Sequence, residues 1–260
     1  MGDLMGLEGI IRYGGLHVLR VLGAIWFLPI FNPGPGSRLM RLGLGLTLGV
    51  GVAVARFGAH YEDPGSEPLV LAVLAGKELV FGFLLGWLAG MALEAVKIAG
   101  SLISIEMGMH MANQIDPNTS TNMPVIGFFF QNMAMVFFFA AGGHRIVLQA
   151  FVRSFDMQPP GVTPDVDVLL PSLLSFASLV MTAAIKIAGP VFLLLIIVSV
   201  CVGFLAKMAP NLHILEASFP IRILAGFILL VIFMPGMMGA FDAALNDVGA
   251  GLLLLIEGGG

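Results

Sequence analysis

The sequence predicts an all-α integral membrane protein with about six long apolar helices. Of its 260 residues, 58% are hydrophobic and only 11% are charged. Soluble domains average about 25% charged residues, so this chain has too few solvated side chains to cover a globule of its size. Several stretches also reach the roughly 20 apolar residues that a helix needs to span a bilayer.

Six apolar runs give the predicted helices in order. They cover residues 13–31, 39–57, 69–96, 125–141, 169–205, and 219 into the C-terminal region. Arg20 splits the first run and Pro29 ends it, which favours an uncleaved helix over a secretory signal. The fifth run exceeds one bilayer thickness, so it predicts a bent hairpin or an unusually long helix. The last run is expected to break at Pro235 and Gly236.

Polar breaks rich in proline and glycine separate these runs. They lie at 32–37, 61–66 and 158–167. The third break is the longest and predicts a boundary between two halves, within a connection over 142–171. The loops carry too small a bias in Lys and Arg to fix a topology by the positive-inside rule.

Glycines recur every four residues in two of the predicted helices. Gly82, Gly86 and Gly90 share one helix face, and Gly45 and Gly49 share another. Small residues at this spacing let helix backbones approach closely in lipid. The pattern predicts tight helix packing, either within the chain or between subunits.

Ionisable residues inside apolar runs need partners, because an isolated charge is costly in a bilayer. The candidate buried charges are Lys77, Glu78, Glu94, Lys97, Glu106, Lys186 and Arg222. Glu94 and Lys97 share a helix face and can pair, as an ion pair near a helix end or as part of a proton or ion pathway. Lys186 has no acidic neighbour in sequence, and charge balance suggests Glu78 or Glu106 as its partner.

No pattern of catalytic, cofactor-binding or metal-binding residues is evident. The five histidines are scattered, without H-E-x-x-H or another metal-ligand spacing. Neither a P-loop nor G-x-S-x-G occurs. The net charge of -4 comes without a basic patch, which argues against nucleic-acid binding. Cys201 is the single cysteine, so no intrachain disulfide can form.

A methionine-rich segment joins two strongly apolar runs. Its candidate functional residues are Met107, Met109, Met111, Asn113, Gln114, Ile115, Asp116, Pro117, Met123 and Pro124. Methionine is flexible and polarisable, so it can close around variable shapes. The segment therefore suits either a plug or gasket in a conduit for unfolded chains, or an ordinary interfacial loop with methionines packed beneath it.

The order of short motifs along the chain resembles the FliR/SctT family of type III protein-export subunits. The resemblance rests on Arg20, Pro29 and Arg38, then Glu78 with Gly82 and Gly86, 99–100, 106–108, 116–117, Pro124, 143–144, 154–155, 188–191, 203–210, 219–220 and Gly226. No single motif is specific, but their order and spacing over some 200 residues are. The chain departs from the family at 211–215 and at Ser218, which leaves flagellum and injectisome both open.

The resemblance implies that the helices form bent hairpins. It also implies a FliP-like part over 1–158, with the plug over 108–124, and a FliQ-like helical hairpin within 159–260. It implies a non-enzymatic gate subunit in the bacterial inner membrane, at a flagellar basal body or injectisome base, without cofactors. Expected partners are FliP-like, FliQ-like, FlhB-like and FlhA-like subunits, the lipid membrane, and unfolded export substrates in transit. An injectisome subunit of the SctT type is the alternative. An autonomous ion-coupled transporter is the rival, but the paired broken helices typical of transporters are missing from the sequence, and no nucleophile–base pattern supports an intramembrane enzyme.

Overall fold

The computed structural model describes residues 2–28, 37–56, 67–109, 125–160, 166–208 and 214–257. Within these ranges the regular structure is helical, which confirms the predicted all-α fold. The helices are α1 (Gly2–Phe27), α2 (Ser37–Ala55), α3 (Pro68–Ala89), α4 (Met91–Glu106), α5 (Val125–Ala140), α6 (Gly143–Met157), α7 (Val166–Met208) and α8 (Ile214–Glu257).

Four helices in the described part are long and apolar enough to cross a membrane. They contain the windows Arg38–Ala55, Pro68–Ala89, Leu170–Met208 and Ser218–Ile256. A fifth span results if α5 and α6 are counted together. The sequence predicted about six long helices. With α1 and α5, which correspond to the first and fourth predicted runs, these four helices account for the six.

The fifth apolar run forms one unusually long helix, which was the second of the two predicted alternatives. α7 has 43 residues, about 65 Å at 1.5 Å per residue. α8 has 44 residues and continues through Pro220 and Pro235, so the predicted break at Pro235 and Gly236 is wrong. Membrane helices tolerate proline because neighbouring helices and local adjustments satisfy the freed backbone groups.

Two further boundaries differ from the sequence prediction. The third apolar run divides at Gly90 into α3 and α4, and the helix then continues to Glu106. The predicted connection over 142–171 contains α6, which mixes Arg145, Arg153 and Asp156 with apolar residues. α6 is therefore amphipathic, and no continuous apolar run marks such a helix in the sequence.

The chain forms two compact units. The first unit comprises Met1–Met91, Gly143–Phe176 and Val248–Gly260, and the second comprises Ala92–Gly142 and Ala177–Asp247. Each unit gathers segments that are distant in sequence. The division into a FliP-like part over 1–158 and a C-terminal part with a FliQ-like hairpin over 159–260 stays a prediction.

In the first unit, α1 packs against α2 and α3. Gly45 and Gly49 are the buried glycines of α2, and they face Leu22 and Val18 of α1. Val21, Ile25 and Phe155 form a buried apolar cluster that adds α6 to this group. Most other side chains of α2 are exposed, so this helix presents a wide apolar surface to lipid or to another protein.

In the second unit, small side chains bring α4 close to its neighbours. Ala92, Ala95, Ala99 and Ile103 of α4 are fully buried and recur at helical spacing. At Gly100 a Cβ would lie 2.8 Å from Cβ of Phe130 in α5. The packing of α4 on α5 therefore depends on a position without a side chain.

Candidate functional site

The methionine-rich segment begins where α4 ends. Met107 is fully buried, and Gly108 and Met109 are partly buried. The remaining predicted plug residues lie outside the described part of the chain: Met111, Asn113, Gln114, Ile115, Asp116, Pro117, Met123 and Pro124. The plug assignment therefore stays a prediction.

Where α4 ends, the second unit holds the chain by close contacts with α8. A Cβ at Gly226 of α8 would lie 2.6 Å from Sδ of Met107, so the Met107 side chain occupies the space that a side chain at 226 would take. Gly108 has φ +78, and a Cβ there would lie 3.0 Å from the ring of Phe219. Glycine adopts such a φ without strain, which favours glycine at 108, whereas Gly226 leaves room for the Met107 side chain.

We expect Gly226→Ala to destabilise the second unit by about 1–3 kcal/mol, the usual cost of overpacking a filled site. The new methyl group would lie 2.6 Å from Cγ, Sδ and Cε of Met107, a fully buried side chain that would have to shift. The measurement is the thermal unfolding temperature of the purified protein. Gly236→Ala in the same helix is the matched control, because nothing lies within 4 Å of a Cβ there. Equal unfolding temperatures for the two variants would contradict the contact.

Two acidic residues of α4 have partners in the second unit. Lys97 Nζ donates to both carboxylate oxygens of Glu94, at 3.2 and 3.1 Å. This pair is partly exposed, with side-chain exposures of 32% for Lys97 and 41% for Glu94, and such pairs contribute little to stability. The Oγ of Ser199 in α7 donates to Glu106 at 3.2 Å. Of these two contacts, the pairing of Glu94 with Lys97 is the one that the sequence predicts.

The other two predicted charges of this unit differ from each other. Arg222 is partly buried, and its Nε has no hydrogen-bond partner among the described residues. Lys186 is exposed on α7, so the described part of the chain does not bury its charge, and its predicted partner stays a prediction. Its neighbours Thr182 and Ile185 are exposed too, so no described segment of the chain covers this face of α7. In the first unit Lys77 is likewise exposed.

Glu78 pairs with Arg20 in the interior of the first unit. Arg20 Nε and Nη2 donate to the two carboxylate oxygens of Glu78, at 2.5 and 3.0 Å. Both side chains have 0% exposure. The guanidinium and the carboxylate therefore meet in the bidentate geometry that gives the strongest charge-assisted hydrogen bonds.

The remaining Arg20 contacts connect the pair to α6. Nη1 donates to the backbone carbonyl oxygens of Ser154 and Gln158, at 3.0 Å each. The guanidinium lies 4.9 Å from the ring centre of Phe81 and 4.5 Å from that of Phe155, within the range of cation–π attraction. One arginine of α1 thus contacts both α3 and α6.

The Arg20 partner of Glu78 was not identified from the sequence. The two residues are 58 positions apart, and charge balance suggested Lys186 instead. The available signal was Arg20 itself, a cation within the first apolar run, since a charge there needs a partner as much as Glu78 does.

Two of the three predicted packing glycines lie against α1. A Cβ at Gly82 or Gly86 would collide with the backbone carbonyl oxygen of Arg20 or Ala24, respectively. α1 contributes the reciprocal contact, because a Cβ at Gly23 would meet the backbone of Leu79. Gly90 instead forms the turn that ends α3, where its N–H donates to the carbonyl oxygens of Gly86 and Trp87.

A small apolar cavity lies in the second unit, with a volume of about 20 Å³. It is lined by Val96, Phe130, Met133, Ala134, Phe137, Ile187, Met234, Met237, Met238 and Phe241. This volume accommodates about one water molecule, which would need polar partners that the lining does not offer. Among the residues that the structure describes, no three His, Cys, Asp or Glu side chains are arranged to hold a metal ion.

These features define a class: an α-helical membrane protein with close helix contacts at glycines and a buried ion pair between Arg20 and Glu78. The family model "Bacterial export proteins, family 1" matches residues 13–248. The chain belongs to this family.

Named relatives agree with that assignment. The chain is 32% identical over 171 residues to "Flagellar biosynthetic protein FliR" of Bacillus subtilis (strain 168), covering 62% of this chain and 64% of that protein, slightly under two thirds of its length. It is 28% identical over 222 residues to the protein of the same name in Escherichia coli (strain K12), covering 84% and 82%. It is 25% identical over 214 residues to "Surface presentation of antigens protein SpaR" of Shigella flexneri, covering 82% and 81%.

Proposed function

We propose that the chain is a non-enzymatic subunit of a type III protein-export gate in the bacterial inner membrane, at the base of a flagellum. The family match over residues 13–248 carries the proposal. The names of the FliR relatives support the flagellar role. The four long apolar helices support a place in the membrane, because each is long enough to cross its hydrocarbon core.

In this role the chain helps to form and to plug a channel for unfolded export substrates. Its partners are FliP-like and FliQ-like subunits of the gate core and FlhB-like and FlhA-like subunits beside it. The wide apolar surface of α2 supports such an assembly, since exposed apolar surface of this extent marks lipid or protein contacts.

An injectisome subunit of the SctT type is the second candidate. The match to SpaR supports it, because it covers nearly as much of the chain as the match to FliR of Escherichia coli. Both candidates assign the chain to the same place in a homologous machine. They differ in the partners that the cell supplies.

The test is purification of a tagged chain from its native membranes in mild detergent, with identification of the proteins that accompany it. We expect FliP-like and FliQ-like subunits in a stable complex, and their identity distinguishes a flagellum from an injectisome. An unrelated tagged polytopic membrane protein is the control for adventitious binding. Recovery of the chain alone, or only as a homo-oligomer, would contradict the proposal and favour an autonomous transporter.

The plug assignment needs its own experiment. We expect removal of residues 113–122 to leave the complex assembled and to make the membrane permeable to small solutes, because the segment would no longer close the channel. The measurement is the leak of a small solute from cells or vesicles that contain the variant, with recovery of the complex as the control for assembly. An assembled complex with an unchanged leak would show that the segment is an ordinary loop.

A further inference from the structure

α6 needs specific polar contacts to take one orientation in the first unit. Lipid is as apolar as a leucine side chain, so apolar contact alone gives membrane helices little preference among packing arrangements. α6 is amphipathic, and its buried side consists of Gly143, Val147, Ala150, Ser154 and Phe155. Most of these side chains are small, so their packing alone does little to fix the rotation of α6 about its axis.

Arginine side chains contact the last turn of α6 at its carbonyl oxygens. Arg20 donates to Ser154 and Gln158. Arg56, just after α2, donates to the carbonyl oxygen of Val152 at 3.0 Å and pairs with Asp156 at 2.7 Å. The C-terminal end of a helix is the negative end of its dipole, so cations bind favourably at carbonyl oxygens there. The Ser154 carbonyl oxygen also accepts from the N–H of Gln158.

The two arginines differ in burial. The Arg20 pair has 0% exposure, whereas the Asp156 side chain of the Arg56 pair has 55%. A surface pair of this kind adds little in water. The buried guanidinium can adopt few orientations, because Glu78 holds one edge and the rings of Phe81 and Phe155 lie within cation–π distance.

We propose that Arg20 and Glu78 are a positioning pair: Glu78 orients the Arg20 guanidinium, and the guanidinium fixes the last turn of α6 against α1 and α3. Gln158 extends the contact, because its Nε2 donates to the carbonyl oxygen of Ile256 in the last turn of α8 at 3.4 Å. The pair thus connects four helices of the first unit. This role holds whichever export system the chain serves.

A positioning role can be separated from a purely stabilising role. Replacing a buried ion pair with apolar residues of similar volume often leaves stability unchanged or improves it. Arg20→Met with Glu78→Leu should therefore leave the chain folded while α6 loses its fixed contact. Arg20→Lys retains the charge opposite Glu78 but removes the planar fork that reaches two carbonyl oxygens as well.

The experiment measures how fast single thiols react with a water-soluble maleimide in the purified protein. Cys201 is the single cysteine and is exposed, so the background is Cys201→Ser. Ser154→Cys reports on α6, because Ser154 is fully buried beside the exposed Arg153 and Asp156. Met157→Cys is the exposed reference, and Ser104→Cys reports on a fully buried serine of the second unit.

In the wild-type background we expect the Ser154→Cys thiol to be protected. In both the Arg20→Lys and the Arg20→Met/Glu78→Leu backgrounds it should react about tenfold faster or more, because a buried group reacts only through local opening. The thiols at 104 and 157 should keep their wild-type rates. Continued protection at 154 in both backgrounds would overturn the proposal. A parallel rise at 104, or failure of every variant to accumulate, would also overturn it, since the pair would then act on global stability alone.

Discussion

Glu78→Leu should lower the free energy of unfolding by about 3–5 kcal/mol, the usual cost of removing one partner from a buried ion pair. The variant leaves the Arg20 guanidinium without its carboxylate at a site with 0% exposure. The loss is large compared with the 5–15 kcal/mol that stabilises a typical domain. We therefore expect little folded chain to accumulate in membranes.

The measurement for this prediction is unfolding in mixed micelles with increasing denaturing detergent. Glu94→Leu is the matched control, because Glu94 also pairs with a cation on a helix but has 41% side-chain exposure. A partly exposed pair at helical spacing contributes only about 0.3–0.5 kcal/mol. If the two variants unfolded at the same detergent concentration, burial of the Arg20–Glu78 pair would have no energetic consequence.

Gly82→Val should separate α1 from α3 and cost at least about 1–3 kcal/mol through overpacking. A Cβ at this position would collide with the carbonyl oxygen of Arg20 and lie 2.8 Å from its carbonyl carbon. These are backbone atoms, which cannot move aside as a flexible side chain can. Displacing the Arg20 backbone would also disturb the bonds between Arg20 and Glu78.

The control for Gly82 is Gly76 in the same helix, where nothing lies within 4 Å of a Cβ. We expect Gly76→Ala to be neutral or to stabilise the helix by up to about 1 kcal/mol, whereas Gly82→Ala should destabilise the protein. Because Gly82 and Glu78 act on the same arginine, the effects of Gly82→Ala and Glu78→Leu should not add in the double variant. Fully additive effects in the same detergent titration would contradict this coupling.

Helices that are apolar around their whole circumference could be predicted from the sequence. The predicted runs 39–57 and 125–141 correspond closely to α2 (Ser37–Ala55) and α5 (Val125–Ala140). Continuous apolar residues bounded by proline and glycine are a local property, and the lipid environment requires such segments to be helical. The same reasoning misses α6, because its apolar residues occupy only one face.

Residue spacing also indicated which glycines allow close packing, but not what they contact. The four-residue spacing of Gly82 and Gly86 predicted a tight interface, and the tertiary structure places α1 there. Gly90 follows the same spacing but forms a turn. A periodic pattern fixes a helix face only for as long as the helix continues, and α3 ends at Ala89.

The sequence by itself determined that this protein is an all-α membrane protein and which residues carry charges that need partners. It also carried the order of motifs that resembles a family of export subunits. Only the tertiary structure decided that Glu78 pairs with Arg20. It also decided that Arg20 and Arg56 both donate to carbonyl oxygens of α6. The physical reason is that charge and hydropathy are properties of single residues and local segments. The partner of a buried charge depends on which helices pack together, and apolar packing in lipid leaves several choices open.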